Sequence, residues 1–215
     1  MKVLFYGGWA VLQPLLRSIW ERALPEAWQV RWVALDGVSR TGPAGDMPFD
    51  LVAGWSLGGQ EAVRLAAAHG CPVVTLGSGP RFVVAGNAQR QAWLAAFCRD
   101  FRQSPEKTLR RFALLLAQGA GHSREALREI QAGLTDGLAE RMAGLSAGLQ
   151  ALAEQDLTAE WAATSSRRLS IVFGQDAVFP CEAPDAATVI LPGGHLPDAD
   201  QCRRIRTLLE THHGH

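Results

Sequence analysis

The chain carries no excess charge of either sign: 21 Lys and Arg stand against 21 Asp and Glu in 215 residues, so the formal net charge is zero with His neutral. Without a global field, attraction to nucleic acid or to an anionic membrane is not expected, and a charged partner must be met by a local patch. Cysteine is scarce as well. Cys71, Cys98, Cys181 and Cys202 are scattered, and none falls in the C-x-x-C spacing of a zinc site or redox motif. A reduced, cytoplasmic setting and no metal are therefore expected. Long apolar runs are missing: the opening Met1-Lys2-Val3-Leu4-Phe5-Tyr6 is too short for a signal peptide or a membrane span. No charge-rich tract interrupts a composition that is 47% hydrophobic and 20% charged, which excludes disorder for most of the chain. His212, His213 and His215 read as a frayed terminus rather than a metal site.

What is present is a set of short apolar runs bounded by Gly, Pro or Asp: 3–6, 30–35, 51–55, 73–76, 169–173 and 189–191. Stretches of helical spacing lie between them, such as Leu15-Leu16-Ile19-Trp20 and Ala62-Val63-Leu65-Ala66. The alternation predicts an α/β fold with a mostly parallel sheet of about six strands covered on both faces. From 88 to 163 the strand pattern gives way to apolar residues three and four apart. That segment is expected to be an inserted helical cap of three or four helices, dividing the core into 1–87 and 164–215. Ser104-Pro105 and His122-Ser123 read as helix starts within it.

The run Leu51-Val52-Ala53-Gly54-Trp55-Ser56-Leu57-Gly58-Gly59 is a strand entering Gly-x-Ser-x-Gly and then a helix. In that context the serine sits on a strained turn that lifts its hydroxyl above the sheet. A serine nucleophile needs a base, and the base needs a group that fixes its tautomer. Asp176 follows one late strand and His195 the next, giving the order Ser, Asp, His of an α/β-hydrolase. His69 and His122 lie near a helix end and in the cap. Asp36, also after a strand, competes with Asp176 for the acid role, and Asp176 is preferred. The amides of Leu57 and of Trp9, in the Gly7-Gly8-Trp9-Ala10 loop after the first strand, are the candidate oxyanion donors. That loop lacks both a P-loop Lys and a G-x-G-x-x-G pattern, so nucleotide binding is disfavoured. No organic cofactor is needed.

At these residues the chain resembles the α/β-hydrolases, and within them the pimeloyl-acyl-carrier-protein methyl ester esterases of biotin synthesis. Gly8-Trp9 is similar to part of that family's His-Gly-Trp-Gly loop, Gly54-Trp55-Ser56-Leu57-Gly58-Gly59 to its elbow, 176–180 to its Asp loop and 107–114 to its cap. Gly7 stands where the family has His, and Ala10 where it has Gly. The resemblance also implies that the family's first hairpin is absent from the sheet. It further implies a serine carboxylesterase acting through an acyl-enzyme on the methyl ester of pimeloyl-acyl carrier protein. Lys107 and Arg111, and likewise Arg124 and Arg128, are four apart on helices, and by resemblance they dock the acidic carrier whose phosphopantetheine arm delivers the acyl chain. Glu106, Glu125 and Glu129 lie close enough in sequence to neutralise part of that patch. Trp9, Trp55, Phe82, Phe112 and Leu116 are candidates for an apolar acyl pocket.

The same serine chemistry would serve an acyl thioesterase or a general short-chain esterase, and an altered oxyanion loop would suit a hydrolase-fold binding module. A monomer is expected.

Overall fold

A computed structural model describes residues 1–35, 48–119, 121–164, 166–180 and 184–213. Asp36 and Cys181 lie outside them. The core elements are β1 (Lys2–Trp9), α1 (Gln13–Trp20), a 3-10 turn (Glu21–Ala23), β2 (Gln29–Leu35), β3 (Leu51–Trp55), α2 (Leu57–His69) and β4 (Val73–Leu76). After the inserted helices come β5 (Arg168–Phe173), β6 (Thr188–Leu191) and α8 (Ala199–His213). All six strands pair in parallel in the order β2-β1-β3-β4-β5-β6. Each of the six apolar runs became a strand, because a parallel sheet covered on both faces buries consecutive residues and so selects continuous Val, Ile and Leu runs.

Period-two alternation sorts those runs into two layers. Phe5, Trp55, Leu76, Ile171 and Phe173 face a core shared with α1, α8 and the inserted helices. Leu4, Tyr6, Val52 and Val73 face α2, with Leu157 and Trp161 completing that layer. The chain reverses its direction of travel across the sheet at β1, whose neighbours are β2 on one side and β3 on the other. In a parallel sheet this reversal opens a crevice beyond the carboxyl ends of the strands. The end of β3 leads to Ser56, and Gly7, Gly8 and Trp9, expected in a loop after the first strand, are instead the last residues of β1 itself, with Ala10 the first residue beyond it.

Five helices fill Ala88–Ala163: α3 (Ala88–Gln103), α4 (Pro105–Ala117), α5 (Arg124–Thr135), α6 (Leu138–Glu154) and α7 (Thr158–Ala163). Three or four were expected. Only Ser104 separates α3 from α4, and α7 is six residues long, so spacing alone does not divide them. Pro105 opens α4 as anticipated, but the Ser104 hydroxyl makes no cap bond; its carbonyl instead accepts from Thr108 N at 3.0 Å and Thr108 Oγ1 at 2.9 Å. Ser123 does cap α5, accepting from Ala126 N at 3.2 Å. At the other end of the chain α8 continues through His213, whose half-buried ring meets Trp28 edge-on, so the first two histidines of the tail are helical rather than frayed. No described helix is long and apolar enough to cross a membrane.

Candidate active site

Ser56 sits between β3 and α2 with φ 57 and ψ −127, a backbone conformation that costs a non-glycine residue of order 1–3 kcal/mol. Crowding around the turn maintains it. A Cβ on Gly54 would lie 2.0 Å from Gly58 O, and one on Gly58 2.4 Å from the carbonyl oxygens of Tyr6 and Gly7. The sharp turn therefore requires glycine at both places. Two hydrogen bonds pin the serine backbone: Ser56 N to Leu76 O at 3.0 Å, and Ser78 Oγ to Ser56 O at 2.6 Å. Leu57 opens α2, so its amide is among those that a helix leaves without an internal acceptor.

Asp176 follows β5, where its Oδ1 accepts from Val178 N at 2.8 Å and Phe179 N at 2.7 Å. Its Oδ2 lies 2.6 Å from His195 Nδ1, and both side chains are fully buried. Burial by itself would push the Asp176 carboxyl up. The adjacent His195, the hydrogen bond to it and the Phe179 and Val178 amides outweigh burial and hold the group below its ordinary 3.8. With Nδ1–H given to the carboxylate, His195 Nε2 carries the lone pair, and that nitrogen is buried with no hydrogen-bond partner. No hydrogen bond joins it to Ser56 Oγ. In a free enzyme such contacts are often loose and close when substrate binds.

At the end of β1 the register with β2 shifts between Tyr6 and Trp9, and the Gly8 backbone lies against the serine, with 3.2 Å from a Cβ built there to Ser56 Cβ. Ala10 has φ 66 in the place where the resembled family carries Gly. At Gly7 a side chain would run into Leu16 Cδ2 at 2.8 Å, so Leu16 occupies the space that a residue there would need.

A slot of about 20 Å³ opens on Ser56, lined by Trp9, Phe82, Phe112 and other apolar residues from α3, α6 and the Asp176 loop. This is about one water's worth of room. Of the five residues expected to line it, Trp55 and Leu116 do not. The Trp55 indole N–H donates to His195 O at 3.1 Å and its ring lies 5.1 Å from the imidazole, so it braces the histidine loop from below. Leu116 is buried in the last turn of α4, and its carbonyl accepts from Leu196 N at 3.2 Å. Trp93, Leu94, Phe97, Leu149, Leu152 and Val178 complete the wall. None of the six was singled out in the sequence; five lie on helices α3 and α6, where apolar spacing is that of ordinary core, and Val178 lies in the loop after β5.

Two buried arginines were also unforeseen. Arg90 of α3 lies over the rings of Phe82 at 4.0 Å and Trp93 at 4.7 Å and donates to Val178 O, tying the cap to the aspartate loop. Arg141 of α6 donates to Ala10 O at 2.5 Å and to Asp136 O at 2.8 Å, tying the inserted helices to the residue that follows β1. On the outer face, Lys107, Arg111, Arg124 and Arg128 are all exposed on the adjacent helices α4 and α5. Arg111 pairs with Asp100 at 2.9 Å, and Glu106 pairs with Arg110 at 2.7 Å rather than with Lys107. Lys107, Arg124 and Arg128 make no ion pair among the described residues.

No family model matches the chain. It is 34% identical over 223 residues to the pimeloyl-[acyl-carrier protein] methyl ester esterase of Aromatoleum aromaticum, covering 91% of this chain and 87% of that protein. A biotin biosynthesis bifunctional protein of Cellvibrio japonicus is 31% identical over 147 residues, 63% of this chain and 28% of that one. Among solved structures, an esterase from Exiguobacterium antarcticum superposes with a TM-score of 0.79 at 17% identity, over 98% of this chain and 91% of its own. The fold is thus that of the α/β-hydrolases. The chain belongs to the pimeloyl-[acyl-carrier protein] methyl ester esterase family and is a carboxylic ester hydrolase.

Proposed function

We propose that this esterase hydrolyses the methyl ester of pimeloyl-acyl carrier protein with Ser56 as nucleophile, His195 as base and then acid, and Asp176 as the group that orients the imidazole. The observation that carries the reading is the buried Asp176–His195 pair, 2.6 Å apart, whose remaining ring nitrogen has no other partner. Such a nitrogen is available for one proton transfer in each direction. Ser56 Oγ attacks the ester carbonyl as Nε2 takes its proton, and the amides of Leu57 and Trp9 donate to the oxyanion. Nε2 then returns the proton to the departing methoxide, releasing methanol. A water molecule deprotonated by His195 frees the acyl group from Ser56.

The elements of 88–163 act as a cap over this centre, and the aromatic slot supports an acyl chain as the group held there. Lys107, Arg111, Arg124 and Arg128 offer the acidic carrier a basic face. The pimeloyl substrate is supported by the name of the relatives rather than by the slot, since an apolar wall discriminates by only about 1 kcal/mol or a little more per methylene. The test is methanol release from pimeloyl-acyl-carrier-protein methyl ester. Wild type is expected to turn it over, and Ser56→Ala to lose at least about 10⁴-fold in kcat. Equal rates in the two proteins would overturn the assignment of Ser56.

A further inference from the structure

Three consecutive residues at the carboxyl end of β4 lie against every member of the proposed triad. Leu76 O accepts from Ser56 N at 3.0 Å. Gly77, with φ 50, backs the acid and the base so closely that a Cβ there would lie 3.1 Å from His195 Nδ1 and 3.3 Å from Asp176 Oδ2. Ser78 is 2% exposed and donates from Oγ to Ser56 O at 2.6 Å. Gly77 N in turn donates to Ile171 O at 2.8 Å, so the segment hangs on β5. Neither Gly77 nor Ser78 belongs to a motif read from the sequence.

The bond from Ser78 acts on more than Ser56. The carbonyl it reaches and the amide of Leu57 are the two ends of one peptide unit, which is planar and trans, so its C=O and N–H point in opposite directions. Fixing Ser56 O on one side therefore fixes the direction in which Leu57 N–H leaves on the other. The same carbonyl accepts from Gly59 N at 2.9 Å, but that bond is internal to the first turn of α2 and moves with the helix. Ser78 adds an anchor from outside the helix and ties the peptide to the segment that backs Asp176 and His195. A donor on the carbonyl also polarises the peptide and strengthens its N–H as a donor. Room for this contact depends on Gly59. A Cβ there would meet Ser78 Cβ and Oγ at 2.4 Å, so Ser78 requires the glycine that stands one place beyond Gly-x-Ser-x-Gly.

We infer that Ser78 is a positioning residue for the oxyanion: through the peptide between Ser56 and Leu57 it keeps the Leu57 amide aimed at the oxygen that becomes negative in the transition state. This rests on the esterase reading above, with Ser56 as nucleophile. Ser78 touches no reacting atom, so its effect falls on the tetrahedral intermediate and leaves binding of the ester unchanged.

The experiment measures methanol release from the carrier-bound methyl ester by wild type, Ser78→Ala and Ser56→Ala, together with inhibition by an alkyl trifluoromethyl ketone. Ser56 Oγ adds to the ketone carbon, its proton passes to His195, and the carbonyl oxygen becomes the oxyanion, so the ketone reads the oxyanion site with no leaving group involved. Ser78→Ala leaves Ser56 O its bond from Gly59 N and is expected to fold. Its kcat should fall about tenfold, equivalent to about 1.4 kcal/mol, with KM within about twofold, and the ketone should bind about tenfold more weakly. Gly59→Ala, whose Cβ displaces the hydroxyl, should lower kcat at least as much in wild type and cost little once Ser78→Gly has cleared the space. An unchanged kcat in Ser78→Ala, a loss confined to KM, undiminished affinity for the ketone, or an equal cost of Gly59→Ala in both backgrounds overturns the role of Ser78 alone. Methanol release that persists in Ser56→Ala, or that wild type fails to show, overturns the esterase reading and the role of Ser78 with it.

Discussion

The two walls of the candidate active site are built from different interactions. On the sheet side, hydrogen bonds fix the proposed catalytic groups: Asp176 takes two backbone amides and His195, Trp55 braces the histidine carbonyl, and Leu76 and Ser78 hold the Ser56 backbone. On the cap side, apolar contact dominates. The ring of Trp9 meets Phe97, Phe101 and Phe112 edge-on at 5.2 to 5.6 Å, and polar ties to the core are few. Directional bonds hold a geometry to fractions of an ångström, whereas apolar packing tolerates exchange of side chains of similar volume. The sheet side thus suits fixed chemistry, and the helical side suits a wall whose side chains can be exchanged without moving that chemistry.

The comparison breaks hardest at the sheet side. Asp176→Asn leaves the size of the side chain unchanged but favours the wrong imidazole tautomer, and a loss of about 10⁴-fold in kcat is expected. Steady-state rates on any ester that wild type accepts check it. The same carboxylate has a stability signature. Because its folded-state pKa lies below the ordinary 3.8, its ionised form stabilises the native state above that pH, and the contribution disappears as pH falls through the folded value. Thermal melts from pH 6 to pH 3 should therefore show wild type losing an advantage over Asp176→Asn as acid is added. An advantage that is constant or grows toward low pH would mean that the pair does not stabilise the fold as an ionised contact.

On the cap side the counterpart is Arg141. Its guanidinium gives hydrogen bonds to Ala10 O and to Asp136 O at the carboxyl end of α5, and the residue is 8% exposed. Arg141→Met keeps much of the volume and leaves those carbonyls without their donor. A loss of about 2 to 4 kcal/mol is expected in denaturant titration. The accompanying kinetic effect should fall on both kcat and KM, since Ala10 adjoins the Trp9 amide. A stability change without a kinetic one would show that the cap holds the oxyanion loop no more firmly than the sheet does.

How much of this was legible in the sequence follows the same division. All six strands and the strained turn at Ser56 could be read because buried parallel strands need unbroken apolar runs and strained turns need particular residues such as Gly54 and Gly58, and Asp176 and His195 do follow β5 and β6 as the order of the runs implied. Partners across the cap interface were not legible. Trp55 adjoins Ser56 in sequence yet turns below His195, and Leu116 shares its helix face with Phe112 but packs a turn too far along. Arg90 and Arg141 look like surface charges until their distant partners are known, Val178 O and Ala10 O, which lie 88 and 131 residues away.

The smallest expected effect probes a place outside the elbow where the sheet side carries strain, the one such non-glycine position among the described residues. Ala10 holds φ 66, a left-handed conformation that costs a residue with a Cβ about 1 kcal/mol or more. Ala10→Gly removes that Cβ and restores the glycine of the resembled family. Glycine also gains freedom in the unfolded chain, worth about 0.4 to 1 kcal/mol in the opposite direction. The two nearly cancel, so melting should move by only a degree or two, upward if the strain is the larger. Kinetics separates the alternatives better than stability. If Arg141 alone keeps the Trp9 amide aimed at the oxyanion, relieving Ala10 leaves kcat unchanged in the wild-type background. In Arg141→Met the unstrained loop is then freer to wander, and Ala10→Gly should lower kcat further. A double mutant no worse than Arg141→Met would instead assign the loop's position to the sheet.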